Sequence, residues 1–350
     1  MPVAKKKKPV RAKTRKSAAR GAKRIAVLKL AKKGWDRFAP KSLKKWAWMV
    51  KGVASAGVAI LFAFWVYQIN WDQFHILRAP AGINQTPIEK EFGHVWNMPL
   101  EKRLDYWSQK IQDKPTWMKD FETQAKTQAP AIADNAPLIP AKFNCTTYVE
   151  TVVALAKSKT PADFYPNLVK IRYNGGKTDF FGRNHFPEAD WIPNNSSAGI
   201  LRDVTRITGL SVQAAAETQT KVIDRGKWFD GKVAQGQVNR KIASAVESVW
   251  REPVQVELPY LPTAKLQNHY KQIPDGTVAN LVRASKPKFP VVISHQGFVF
   301  QGKDGVTYFR HSTPQGEIKT NRLAEYMKSV TEHSPKSWPM VGLNFNQVLQ

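Results

Sequence analysis

The chain has 350 residues, 42% of them hydrophobic, with 12 Trp and 17 Phe, which is enough to fill a core and excludes disorder throughout. Its net charge of +27 would point to nucleic acid or an anionic membrane if it were evenly spread. Instead, residues 1–51 hold 19 of the 54 Lys and Arg and only one acid, Asp36, so 35 basic and 26 acidic residues remain beyond them, a net of +9.

Residues 1–24 are rich in Lys, Arg and Ala, with no acid and no apolar period. Such a composition predicts a largely disordered basic tail, taken here as residues 1–45. Trp46 to Trp71 follow, with an uncharged stretch from Gly52 to Asn70. A helix of ~20 apolar residues crosses the hydrocarbon core. Trp46 and Trp48 at one end, and Trp65, Tyr67 and Trp71 at the other, suit rings seated at two interfaces, while Lys51 can snorkel back to the basic side. We read 46–71 as one transmembrane helix, since no small-residue cleavage pattern ends it. The basic flank then places residues 1–45 in the cytoplasm and 72–350 on the far side. The tail's expected partner is anionic membrane lipid, at roughly 1 kcal/mol per basic residue near the surface; contact with nucleic acid is the weaker reading.

Residues 72–89 read as a linker, and 90–350 as the folded domain. In 99–111, Leu100, Leu104, Trp107 and Ile111 form the stripe of an amphipathic helix. A Pro/Ala-rich loop leads to "KFNCTTYVETVVALAK", which holds the only cysteine, Cys145. Asn144 is a good N-cap, and Val149, Val152, Val153 and Ala156 recur on the following turns, so a helix should begin at the thiol. The stretch from Arg172 to Asn195 is too rich in Gly, Asn and Pro for regular structure, while 212–223 and 241–249 look helical. After Pro274 the pattern turns to β: 277–284, 289–301 and 305–313 are β-branched or aromatic runs, the last two separated by the turn "GKDG". A helix at 321–330 and a last strand at 340–345 complete an α+β plan.

One cysteine makes no internal disulfide, so Cys145 is either an inert buried thiol or a nucleophile. The unpaired N–H groups of a helix start favour a thiolate. Of the seven His, two lie on consecutive expected strands. His295 is polar within an apolar run, and His311 on the next strand could accept a hydrogen bond from it and fix its tautomer. Cysteine on a helix start, histidine on a strand and a polar orienter on the next is the arrangement of papain-like hydrolases.

"FNCTTYVETVVALA", "IRYNGG", "RNHFPEADWI", "DVT", "LPYLP", "IPDGTV", "SHQGFVF" and "FRHST", in this order, resemble the N-acetylmuramoyl-L-alanine amidase-like family, a branch of the NlpC-type, papain-like cell-wall hydrolases, over roughly residues 90–350. The resemblance implies a peptidoglycan amidase with Cys145 as nucleophile, His295 as base and His311 as third polar member. It would act from the cell inner membrane on the periplasmic side, without a cofactor. Asn144 stands where the family usually carries Asp, Gln296 where an apolar residue follows the His, Thr277 where a second acid often follows Asp-Gly, and "HSTP" where "HAS" is usual; these departures bear on substrate preference.

Arg183 and His185, with Asp190 and Trp191, combine a guanidinium that can grip a carboxylate with an aromatic that can stack on a sugar. The same residues could equally anchor their loop by packing. Tyr148 is counted with Arg183, His185 and Trp191 as substrate-binding, and Glu150 and Asp203 as structural. No Cys/His metal-ligand cluster and no phosphate-cradling Gly loop appears. A stem-peptide endopeptidase or acyltransferase of the same fold, or a non-catalytic wall-binding protein, is the alternative.

Overall fold

Helix α1 (Pro87–Trp96) is set by its capping box. The Thr86 hydroxyl accepts from the Glu89 N–H, and the Glu89 carboxylate accepts from the Thr86 N–H at 2.7 Å. The computed structural model describes residues 86–111, 140, 142–208, 216–238, 249–267 and 269–350. The expected basic tail, transmembrane helix, most of the linker and residues 241–248 lie outside them. Among the described residues no helix is long and apolar enough to cross a membrane. Helix α1 starts at Pro87, three residues ahead of the 90 taken from the sequence as the start of the domain.

Helix α2 (Leu100–Lys110) carries the expected stripe, and Leu100, Leu104 and Trp107 are buried together with Ile111 at its cap. Helix α3 (Cys145–Ala156) is capped as the sequence expects: Asn144 Oδ1 accepts from the Thr147 N–H at 2.8 Å, and Thr147 Oγ1 accepts from the Asn144 N–H at 3.0 Å. From Thr147 to Ala156 every residue is buried, the mark of a helix that runs inside a core. Its one acid, Glu150, is neutralised there by Arg172 at the end of helix α4 (Pro161–Arg172), Nε to Oε2 2.7 Å, with both side chains buried. Removing one partner of such a pair would leave a charge in a low-dielectric interior, which costs ~3–5 kcal/mol.

Among the described residues, eight strands form one antiparallel sheet: β1 (Leu201–Asp203), β2 (Glu217–Ile223), β3 (Val254–Pro262), β4 (Thr277–Arg283), β5 (Ile293–Gln301), β6 (Thr307–Ser312), β7 (Ile318–Arg322) and β8 (Met340–Val348). Their order is β2-β3-β8-β4-β5-β6-β7, with β1 also paired to β8. Alternate residues serve opposite faces. Val278, Val282 and Phe298 join the core that contains α3, whereas Ala279, Leu281, Val299 and Phe309 join Leu323 and Met327 of helix α6 (Leu323–Glu332) on the other side. With both faces covered, β4 and β5 read as near-continuous apolar runs. The α+β plan is as expected.

Several expectations change. The 212–223 stretch is not helical throughout: residues 217–223 form β2, paired with β3 from Glu217↔Tyr260 to Ile223↔Val254. Its Ala-rich start suggested helix, but the partners that satisfy the Thr, Val and Ile backbone are supplied by a strand about 30–40 residues away, and pairing overrides local propensity. Between Arg172 and Asn195 the chain is less irregular than its composition suggests. A π-turn at Pro187–Trp191 runs into a short helix at Ile192–Ser197, each with proline in its first turn. The helix expected at 321–330 begins instead at Leu323, because Asn321 and Arg322 belong to β7, and β8 runs on past Phe345 to Val348. Helix α5 (Arg225–Ala234), which the sequence did not mark, is capped by Asp224.

Candidate active site

The ladder between β5 and β6 stops short of both strands. It runs from Gln301↔Thr307 to Phe298↔Arg310, although β5 reaches back to Ile293 and β6 on to Ser312. The start of α3 is anchored to both strands beyond that last pair. On one side the Ser312 hydroxyl donates to the Phe143 carbonyl at 2.6 Å; on the other the Thr146 hydroxyl donates to Gln296 Oε1 at 2.7 Å. Cys145 therefore lies between two anchors. Gly297 lets the strands stay close at this point, since a Cβ there would come within 2.6 Å of the Phe309 ring and 2.7 Å of the Arg310 carbonyl.

His295 Nε2 lies 2.8 Å from His311 Nδ1, and His311 Nε2 lies 3.2 Å from Asn321 Oδ1. The register explains the grouping: His311 pairs with Lys319 and Phe309 with Asn321, so all four side chains stand on one face. Phe309 stacks on the His311 ring at 5.0 Å, and Tyr326 of α6 covers it at 4.8 Å. The structure thus brings Cys145, His295 and His311 to the same end of the sheet.

Burial pushes the partly exposed Cys145 thiol up, against hydrogen bonds from the Gln296 N–H and from Thr146. Burial, then the charges of His311 and Arg283, pushes His295 down to about 3. Burial also lowers His311, opposed by its bond to Asn321. Both shifts favour the neutral pair, thiol and imidazole, over the ion pair. The helix-start N–H groups expected to favour a thiolate are present, but desolvation outweighs them.

A chain of buried amides continues inward from Thr146. Gln296 Nε2 donates to Asn280 Oδ1 at 2.7 Å, Asn280 Nδ2 to Asn344 Oδ1 at 2.8 Å, and Asn344 Nδ2 to the Asp203 carboxylate at 2.7 Å. Every donor points the same way, so the bonds polarise one another. Gln296, a departure from the family pattern, is the link that joins this chain to α3. Asp203 and Glu150 take the structural roles expected of them.

Beside Cys145 opens a cleft of about 430 Å³ against Asn144, Thr146 and Thr147, with Arg183, His185, Phe180, Trp228 and Lys232 among its other walls. Arg183 and His185 thus do line a cavity. Tyr148 and Trp191, also expected to touch substrate, do not. Tyr148 is fully buried, donating its hydroxyl to the Ser108 carbonyl at 3.0 Å, and Trp191 is 1% exposed in the core. Each faces inward because the turn that carries it does: the inner side of α3 for Tyr148, the π-turn for Trp191. Asp190 ties that turn down by accepting from the N–H groups of His185 and Phe186 and from Arg225. The aromatic wall is instead Trp228 of α5, whose ring lies 5.0 Å from that of His185. No local signal marked Trp228, since it reaches the cleft only through tertiary packing. Among the described residues no group of three or more His, Cys, Asp or Glu could hold a metal ion.

A thiol at a helix start, two linked imidazoles and an amide oxygen are the parts of a nucleophile, base and orienter set. A family model described as AmiA-like, N-acetylmuramoyl-L-alanine amidase-like, matches residues 119–332. The chain belongs to that family, one of amidase-like cell-wall hydrolases. Its fold is similar to that of a Legionella pneumophila protein of the DUF1460 family, 22% identical, with TM-score 0.63 over 75% of this chain and 93% of that one. An N-acetylmuramoyl-L-alanine amidase from Bacteroides uniformis is 24% identical over 59% of this chain and 84% of its own, with TM-score 0.46. No curated protein matches.

Proposed function

We propose that the chain is a cysteine amidase of papain-like, NlpC type that cuts the amide between the lactyl group of N-acetylmuramic acid and L-Ala. The observation that carries this reading is the 2.8 Å contact between His295 Nε2 and His311 Nδ1, next to a thiol fixed between β5 and β6. As the Cys145 sulfur attacks the carbonyl carbon, His295 takes the thiol proton, and N–H groups at the start of α3 hold the oxyanion. The proton passes to the departing amine of L-Ala, the C–N bond breaks and a thioester remains. Water, deprotonated by His295, then hydrolyses the thioester and frees the thiol. Arg183 and His185 in the adjoining cleft suit the carboxylates of a stem peptide. Digestion of purified muropeptides tests the bond: masses of a free disaccharide and a peptide beginning with L-Ala support it, and fragments cut within the peptide would replace it with an endopeptidase.

We also infer that residues 46–71 anchor the protein in the inner membrane with residues 72–350 in the periplasm, and that the basic residues before them hold anionic lipid. This rests on the net charge of +18 over residues 1–51 and the uncharged stretch that follows. A reporter active only outside the cytoplasm, fused after Gln350, should be active; activity of a cytoplasm-only reporter there would reverse the topology.

A further inference from the structure

The two imidazoles leave one question of chemistry open: which nitrogen of His295 carries its proton. A neutral imidazole donates through one nitrogen and accepts through the other, and the partner of each nitrogen decides which. The last partner in the row is Asn321 Oδ1, 3.2 Å from His311 Nε2. An amide oxygen only accepts, so His311 must carry its proton on Nε2 and present the lone pair of Nδ1. That lone pair accepts from His295 Nε2 at 2.8 Å, so His295 is protonated on Nε2 and its Nδ1 is left basic. If the amide were turned, Nδ2 would donate to His311, both imidazoles would take the other tautomer, and His295 Nδ1 would carry a hydrogen and could accept nothing.

The His311 ring is held against rotation, with Phe309 stacked at 18° on it and Tyr326 tilted at 49°. Tautomer rather than ring orientation is then the remaining freedom. We propose that Asn321 is a positioning residue that, through His311, keeps Nδ1 of His295 as the basic nitrogen. The proposal rests on the reading of Cys145 as nucleophile and His295 as base. Asn321 stands ten residues beyond His311 on the next strand, and its Oδ1 meets the ring nitrogen of His311 that His295 does not.

The test uses the full chain with Asn321→Leu, which removes the acceptor, and Asn321→Asp, which keeps an acceptor and, ionised, cannot donate. Three quantities are read: kcat and KM on muropeptides, the rate at which iodoacetamide alkylates Cys145, and thermal midpoint. Asn321→Leu should lower kcat and the alkylation rate by about ten-fold or more, the scale of orienting partners elsewhere, with KM and midpoint near the parent's. Asn321→Asp should keep both rates within a few-fold of the parent. Equal loss in the two variants, or a parental alkylation rate in Asn321→Leu, overturns the proposal. Alkylation involves no peptidoglycan, so a parent that cuts no muropeptide but shows this alkylation pattern would sink the amidase reading and keep the relay.

Discussion

The residue after the thiol is bonded to the residue after the imidazole: the Thr146 hydroxyl donates to Gln296 Oε1 at 2.7 Å, one position beyond Cys145 and His295 respectively. This bond fixes the start of α3 against β5 at the point where β5 has left the β6 ladder. Thr146→Val keeps the shape and removes the donor, leaving a buried amide oxygen unsatisfied. Such a loss costs ~1–3 kcal/mol, so the urea midpoint should fall and turnover should fall with it. Thr146→Ser should restore both. An unchanged midpoint in Thr146→Val would mean that the bond contributes nothing to holding the two elements together.

The pH dependence follows from the state of His295. Burial acts first, and the charges of His311 and Arg283 add to it, holding His295 near 3, well below the ~6.5 of a free imidazole. A base with a lowered pKa stays unprotonated as pH falls. Between pH 7 and 5, kcat/KM should therefore change little, whereas an ordinary histidine base would lose most of its active form across that range. An acid limb with a midpoint between 6 and 7 would contradict the neutral pair.

Glu188 makes stability itself depend on pH. It is a buried residue of the π-turn, accepts from the Val292 N–H at 2.5 Å, and is pushed up to about 7 by burial, with Asp190 adding to the shift. Between the unfolded value of ~4.3 and about 7 the folded chain holds a proton that the unfolded chain has lost. Glu188 therefore lowers stability as pH rises through that window. Glu188→Gln, always neutral, should be more stable than the parent by a few degrees at pH 8, and the advantage should vanish at pH 5. An equal difference at both pH values would show that Glu188 does not titrate in this way.

Much of the site could be read from the sequence because its parts are local. Asn144 as a cap, Cys145 on the first turn and two histidines on adjacent β-rich runs each carry their own signal, and the structure places all of them together. What escaped depends on register and distance. Asn321 looked like the start of a helix because "NRLAEYMKSV" has a helical period, and only pairing with β6 shows that it faces His311. Trp228 reaches the cleft from a helix with no signal for it, and Trp191, the tryptophan that stood in the motif, turned inward on a π-turn. The amide chain from Gln296 to Asp203 joins four elements, a relationship no window of sequence contains.

The claim at the centre is that Cys145 is the nucleophile. Purified parent and Cys145→Ala, each incubated with muropeptides at pH 7, should differ completely: the parent should release the peptide with a free L-Ala amine, and the variant none, with both showing the same thermal midpoint. His295→Ala should lose ~10²–10⁴-fold in rate. If Cys145→Ala instead releases peptide at the parent's rate, the thiol is an ordinary core residue and the account of this site is wrong.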